Sequence, residues 1–209
     1  MFNFEQFFNK LKNKLVKIYN SVDDFNPDFN VILTLGTFDG VHIGHQSIIK
    51  KLNSDAEKNN GQSVLLTFYP HPRHVLFPED QNLKLLNTIE ERCSMLENYG
   101  LDHFIIQKFT PDFSRIKSIN FVRDILVNKL QVHKLIIGYD HHFGRNREGN
   151  FKELVSLSNL YSYNIEKIEP QKFNDISISS TKIRKLIMES RMIEASNYLG
   201  HYFSFLGTV

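Results

Sequence analysis

The chain has 209 residues, enough for one sizeable core or one main domain with small additions. It carries 25 Lys and Arg against 23 Asp and Glu, a net charge of +2, so there is no electrostatic case for a nucleic-acid or polyanion binder. The single cysteine, Cys93, excludes an internal disulfide and a cysteine-built metal site, and fits a reducing, cytoplasmic setting.

The N-terminal stretch "MFNFEQFFNKLKNKLVKIYN" breaks its apolar residues with Lys and Glu and shows no small-residue cleavage pattern. Read as a helix it is amphipathic, and residues 1–15 form an extension ahead of a domain over 16–200. No apolar run reaches the length of a membrane span, so no membrane partner is expected. "VILTLGTF" (31–38) predicts a buried strand, and "HQSIIKKLNSDAEKNNG" a helix with Ile48, Ile49, Leu52 and Ala56 inward. "SVLLTFY" (63–69) is a second strand. Thr88 and Glu91 make a capping box for a helix that Gly100 closes. Ile89, Cys93 and Leu96 share one face of it, which makes Cys93 a structural thiol. "HFIIQKF" (103–109) is a strand, "SINFVRDILVNKL" (118–130) a helix capped by Ser118, and "KLIIGY" (134–139) another strand. "FKELVSLSNLY" (151–161) is a helix and "YNIEKIE" (163–169) the final strand. In "ISISSTKIRKLIME" (176–189), Ser179 or Ser180 caps a helix with Ile183, Leu186 and Ile187 inward.

Continuous apolar strands alternating with amphipathic helices predict a Rossmann-like α/β fold, a mainly parallel sheet covered on both faces. Such sheets bind ligands at the carboxyl ends of their strands, near the point where strand order reverses. Three unusual segments, 36–45, 67–74 and 138–149, fall at strand exits, and a fourth, 176–184, follows the last strand.

In "GTFDGVHIGH" (36–45), Gly36, Gly40 and Gly44 clear side chains from a turn, and Gly44 separates His42 from His45 at a helix start. A phosphate could meet both imidazoles and the free N–H groups together, and beside a polyphosphate the charged imidazoles are favoured. A metal pair or two plain surface histidines are the alternatives. No P-loop lysine motif and no G-x-G-x-x-G after a strand occurs, so kinase-like and dinucleotide readings lose their main support. In "TFYPHPRHVLFPED" (67–80), Phe68, His71 and Pro72 either pack on a flat ring or merely stiffen a turn. "GYDHHFGRNREGN" (138–150) gathers Asp140, His141, His142, Arg145 and Arg147 in what is either a polar loop or a ligand loop. Asp140 could accept from a ribose hydroxyl or help hold magnesium. Ser180, Thr181 and Arg184 lie on the polar side of one helix turn, a set that suits a triphosphate or simply a solvated surface.

"GTFDGVHIGH" resembles the N-terminal FAD synthetase module of the bacterial bifunctional riboflavin kinase/FAD synthetase family. Its "HIGH" core is similar to the signature that nucleotidyltransferases share with class I aminoacyl-tRNA synthetases. "TFYPHP" resembles the family's TF-x-PHP segment, "GYDHHFG" its G-x-[DN]-x-x-FG pattern and "ISSTKIR" its ISST-x-x-R motif. The resemblance implies transfer of AMP from ATP to FMN, giving FAD and pyrophosphate, with Mg²⁺. It implies His42, His45 and Arg184 as catalytic groups. Gly36, Phe38, Asp39, Gly44, Gly138, Asp140, Phe143, Gly144, Ser180 and Thr181 are implied at ATP, and Phe68, His71 and Pro72 at the flavin. No metal-ligand set is nominated. Where the family carries an aromatic and an arginine this chain has His141 and His142, and "GHYF" departs from the family's GRPY at its junction. Residues 201–209 are implied to begin a riboflavin kinase domain, the expected partner. Competing expectations are the same chemistry on phosphopantetheine or nicotinamide mononucleotide, and a flavin- or nucleotide-binding module without turnover.

Overall fold

Alternate residues of the central strand, Asn30–Leu35 (β2), point to opposite faces of the sheet, and the apolar core divides accordingly. Val31, Leu33 and Leu35 join one cluster and Ile32 the other. Gly61–Tyr69 (β3), His103–Lys108 (β4) and Val132–Gly138 (β5) divide the same way, with Val64, Ile105 and Leu135 on the first side and Leu65, Phe104 and Ile136 on the second. The computed structural model describes residues 15–80, 82–139, 142–170, 172–173 and 176–205. With Lys17–Tyr19 (β1) and Asn164–Ile168 (β6), these strands form a six-stranded sheet of order β1-β4-β3-β2-β5-β6, parallel at every pairing.

The chain leaves β2 toward β3 and β4 and later returns to β5 on its other side. The order therefore reverses between β2 and β5, where a crevice opens at their carboxyl ends. Ile43–Lys58 (α1) covers the second face with Ile49, Leu52 and Ala56, the inward set its spacing predicts, while Ile48 is only partly buried. After Pro72–Leu76 (α2), Ile89–Asn98 (α3) packs beside it through Leu96, behind the expected Thr88–Glu91 capping box. Cys93 is half-buried against this cluster, and burial raises its thiol pKa, consistent with a structural role.

Pro111–Ser114 (α4) and Ser118–Asn120 (α5) precede a π-helical stretch, Phe121–Lys129, which lies on the first face with Phe151–Tyr161 (α6). Ser118 does not cap this element: Lys117 holds the cap position, and the Glu148 carboxylate accepts from the Ser118 N–H at 3.0 Å instead. A cap supplied from thirty residues downstream leaves no local signature.

Two further elements depart from expectation. Residues 17–19, read as part of a helix, form the edge strand β1, because the apolar edge of β4 is open to pairing there. The 163–169 strand is not the last: Lys172–Phe173 (β7) and Ile176–Ser177 (β8) form a small antiparallel pair. Ser180–Met188 (α7) and Met192–Leu199 (α8) then bury Ile183, Leu186, Ala195, Tyr198 and Leu199 against Leu86 in a third cluster. The Gln46 side chain in α1 donates to the Val41 carbonyl at 2.8 Å and the Leu199 carbonyl at 2.7 Å, fixing the end of α8 to the loop after β2.

Candidate active site

The loop from β2 to α1 is strained where a ligand crevice requires it. Phe38 and Val41 hold φ of 49° and 37°, a region few non-glycine residues adopt, least of all a β-branched one. Gly40, between them at φ +82°, leaves no room for a side chain: a Cβ there would lie 2.5 Å from Leu86 Cδ1. This geometry turns the chain sharply from the sheet into α1 and delivers His42 to the N-cap.

The cap determines the chemistry of that imidazole. His42 Nδ1 accepts from the His45 backbone N–H at 3.3 Å, so its proton sits on Nε2, which remains a donor. The His42 and His45 rings stack with centroids 3.6 Å apart, and His45 stacks in turn on Phe38 at 4.6 Å. Gly44 allows this, because a Cβ there would press on the His42 ring at 3.1 Å. Burial lowers the His42 pKa to about 4, and burial, His42 and Arg92 together hold His45 well below the ordinary imidazole range. His45 Nδ1 is sealed from solvent and has no hydrogen-bond partner among the described residues. The sequence expects charge on these rings beside a polyphosphate; in the folded chain by itself, burial favours their neutral form.

Asp39, three residues before His42, joins the other walls. Its carboxylate accepts from Leu86 N–H at 2.9 Å and from Arg184 Nη1 at 3.0 Å, with Arg92 Nη2 at 3.6 Å. Its backbone carbonyl accepts from Ser180 Oγ at 2.9 Å. Burial raises the Asp39 pKa against the pull of Arg92, Leu86 N–H and Arg184. The α7 start, capped by Ser179 with Thr181 exposed beside it, is thereby tied to the HIGH loop.

On the β3 side, His71 caps α2 by accepting from Arg73 N–H at 3.1 Å, and Pro72 occupies the first helical position. Burial, aided by His74, Arg92, Arg184 and Arg73, takes the His71 pKa to about 4. Phe68 and His71 line an open cleft of about 450 Å³, with Leu85, Leu86 and Ile89 from the segment leading into α3 and Phe203 beyond α8. Pro72 is not in that lining.

The third loop is only partly drawn in. Gly138 ends β5 beside β2 at the crevice. Phe143, expected at the nucleotide, places its ring in the core. Its ring is buried in the first core cluster 5.9 Å from Phe121, because an aromatic side chain gains more from that core than from an open loop. Gly144, at φ +71°, is explained by packing, since a Cβ there would lie 2.8 Å from Ser118 Cα. Asp140 and His141 lie outside the described residues. At the junction, His201 Nε2 donates to the Gly40 carbonyl at 3.0 Å.

Arg92 went unnoticed in the sequence. It sits one turn before Leu96 on the inward face of α3, and a charge on an apolar stripe was the signal available. It donates through Nε to Asn87 Oδ1 at 3.2 Å, and that same oxygen accepts from Gly40 N–H at 3.3 Å. Among the described residues no group of three His, Cys, Asp or Glu side chains converges on a metal position. No helix among them is long and apolar enough to cross a membrane.

Residues 26–182 match the family model described as FAD synthetase. A bifunctional riboflavin kinase/FMN adenylyltransferase of Buchnera aphidicola subsp. Acyrthosiphon pisum is 32% identical over 196 residues, 94% of this chain and 62% of that protein. A Listeria monocytogenes protein named FAD synthetase is 33% identical over 178 residues, 85% of this chain and 72% of its own length. A Streptococcus pneumoniae structure titled macrolide-efflux protein superposes over 90% of this chain and 62% of that one, with a TM-score of 0.79 and 23% identity, a likeness of fold. The chain thus spans about three fifths of the length of the Buchnera protein.

Proposed function

The chain belongs to the FAD synthetase family, and from that premise we propose that it transfers AMP from MgATP to FMN. The observation that carries this reading is the meeting, at the reversal point of the sheet, of two stacked neutral imidazoles at the α1 start with Arg184 of α7, joined through Asp39.

In this reaction a phosphate oxygen of FMN attacks the α-phosphorus of ATP. A new phosphorus–oxygen bond forms, the bond to the bridging oxygen of the β-phosphate breaks, and pyrophosphate leaves with that electron pair. No side chain needs to become covalently attached. The protein aligns two anions and stabilises the charge that grows between them. His42 offers Nε2–H at the helix start, and the first N–H groups of α1 add fixed positive dipoles. Arg184 uses one guanidinium nitrogen on Asp39 and keeps its other donors for the triphosphate, beside Thr181. Because burial keeps the imidazoles neutral, their donor strength is largely independent of pH above about 6.5.

Magnesium enters with the nucleotide. The buried Asp39 carboxylate is already engaged by arginine, so the described side chains do not build a separate cage. Mg²⁺, if carried by the nucleotide, would offset phosphate charge there, a role that needs few protein ligands. Phe68, His71 and the apolar cleft beside them suit the flavin ring. Gly36, Phe38, Gly44 and Gly138 border the nucleotide, with Asp140 of the third loop assigned to it from the motif alone.

The module occupies residues 16–200. In a longer chain the segment from 201 onward leads to a riboflavin kinase domain, which would supply FMN. The lone cysteine and the small-molecule substrates suit the cytoplasm. The test is incubation of the protein with FMN, ATP and Mg²⁺, following FAD and pyrophosphate together. Equimolar appearance is expected. Pyrophosphate released only with phosphopantetheine or nicotinamide mononucleotide, or ligand binding without any product, overturns the reading.

A further inference from the structure

The FMN reading, on which this inference rests, leaves one cation unused at the inner end of the apolar cleft. The cleft takes Phe68 and His71 from one side and Leu85, Leu86 and Phe203 from the other, and Arg92 completes its lining. An aromatic and aliphatic cleft suits a flat heterocycle, and among its lining residues, which also include His71, Asn87, Thr88, Glu90 and Glu91, Arg92 brings the guanidinium that a phosphate can pair with.

Arg92 is buried, at 4% side-chain exposure, and its charge is incompletely matched. The nearest carboxylate, Asp39, is shared by two guanidinium groups and lies closer to Arg184, at 3.0 Å, than to Arg92, at 3.6 Å. Among the described residues Arg92 also bonds Asn87, whose side-chain oxygen accepts from Nε at 3.2 Å and whose backbone carbonyl accepts from Nη2 at 3.4 Å. A neutral amide orients a guanidinium without cancelling its charge. Two guanidinium groups sharing one buried carboxylate, with Arg92 itself buried and Arg184 partly exposed, is a costly arrangement unless a further anion arrives. The location agrees: Arg92 lines the cleft together with His71, and its Nη2 reaches, at 3.6 Å, the Asp39 carboxylate of the loop that carries His42 and His45. That is where the phosphate of a flavin lying in the cleft must reach to face the α-phosphorus.

We propose that Arg92 binds the phosphate of the flavin substrate, held in place by Asn87 and Asp39, and so makes the cleft prefer FMN to unphosphorylated riboflavin. Asn87 then has two tasks, because its side-chain oxygen also accepts from the Gly40 N–H of the HIGH loop. The flavin-phosphate anchor and the triphosphate loop are thereby kept in register.

The experiment measures dissociation constants of FMN and riboflavin by flavin fluorescence for wild type, Arg92→Gln and Arg92→Lys, each checked by thermal unfolding. Loss of one charge-assisted phosphate contact corresponds to about tenfold or more in affinity. Arg92→Gln is expected to weaken FMN by that factor while riboflavin stays within about twofold of wild type, the ordinary scatter of independent effects. Arg92→Lys should recover part of the FMN preference, since it keeps the charge. A purely structural arginine gives another pattern: Lys cannot supply the Nε and Nη2 fork to Asn87, so both variants would weaken both flavins alike. That outcome, or an unchanged FMN preference, overturns the proposal. If Arg92→Gln does not fold, Arg92→Lys decides, by retained preference or by equal losses. Wild-type protein that binds neither flavin overturns the FMN reading itself.

Discussion

The two ends of the parallel sheet treat buried charge in opposite ways. At the amino ends, Lys51 and Lys134 each contact both Asp55 and Glu166, at 2.5 to 3.1 Å, closing a ring of two cations and two anions. Nearby, Asp102 accepts from the Ser63 N–H and hydroxyl, both at 2.9 Å, and returns a backbone donor to the same hydroxyl at 3.0 Å. Burial alone would raise the Asp55 pKa, yet its bonds from Lys134 and Lys51 bring it below the ordinary value. At the carboxyl ends the balance is left open: one carboxylate serves two arginines, and two imidazoles are held neutral, one with a nitrogen lacking any partner among the described residues. A completed network only stabilises. An incomplete one, positioned by strained backbone at Phe38 and Val41, retains donors that a polyanion can use.

The sharpest way to break this contrast is His45→Ala. It should lower turnover in FAD formation by about 10²–10³-fold, the usual loss for one well-placed donor to transition-state charge. FMN affinity should change little, and an equal loss in kcat and in FMN binding would contradict the role. At the opposite end Asp55→Ala should cost about 2–3 kcal/mol in urea unfolding, less than a fully buried pair because Lys51 is 34% exposed. It should leave FAD turnover intact below its melting point, and loss of turnover would show that the two ends are not independent. Arg184→Ala should raise the ATP KM by about tenfold or more. An unchanged KM and rate would remove Arg184 from the site.

Acid titration sharpens the contrast further. Unfolded imidazoles bind protons at about 6.5, whereas His42 binds one only at about 4 when folded. Stability contributed at the carboxyl end is present above pH 6.5 and is lost as pH falls from 6.5 toward 4. The slope is at most about 1.4 kcal/mol per pH unit for each imidazole. The lowered Asp55 and Glu166 carboxyls act in a lower window, with stability lost only as pH falls below the ordinary carboxylate range. His42→Gln should shrink the first phase of a melting-temperature profile, to which His45 and His71 still contribute, and leave the second, and an unchanged first phase would refute the assignment. The smallest expected effect on stability is that of Gly44→Ala, within about 1 kcal/mol, because helix propensity and crowding oppose each other. Turnover should nevertheless fall several-fold, since the new Cβ would displace the His42 ring from 3.1 Å. Unaltered turnover would show that the ring position is not critical.

Much of this was legible in the chain itself. Apolar runs such as Val31–Leu35 and the three-and-four spacing of Ile49, Leu52 and Ala56 determine strands and helices, because burial imposes those periods locally. The order of elements then requires a parallel sheet and places the HIGH loop at a strand exit. Features that depend on residues remote in sequence were hidden: the Glu148 cap at Ser118, the edge pairing of residues 17–19 and the burial of Phe143. The site divides in the same way. Sequence by itself determined which donors the chain brings, in the spacing of His42 and His45 and of Ser180 and Arg184. Only the tertiary structure decided their charge and orientation, since desolvation neutralises the imidazoles and Asp39 aligns Arg184 from 145 residues away. Periodicity is a property of neighbours along the chain, whereas desolvation and ion pairing belong to neighbours in space.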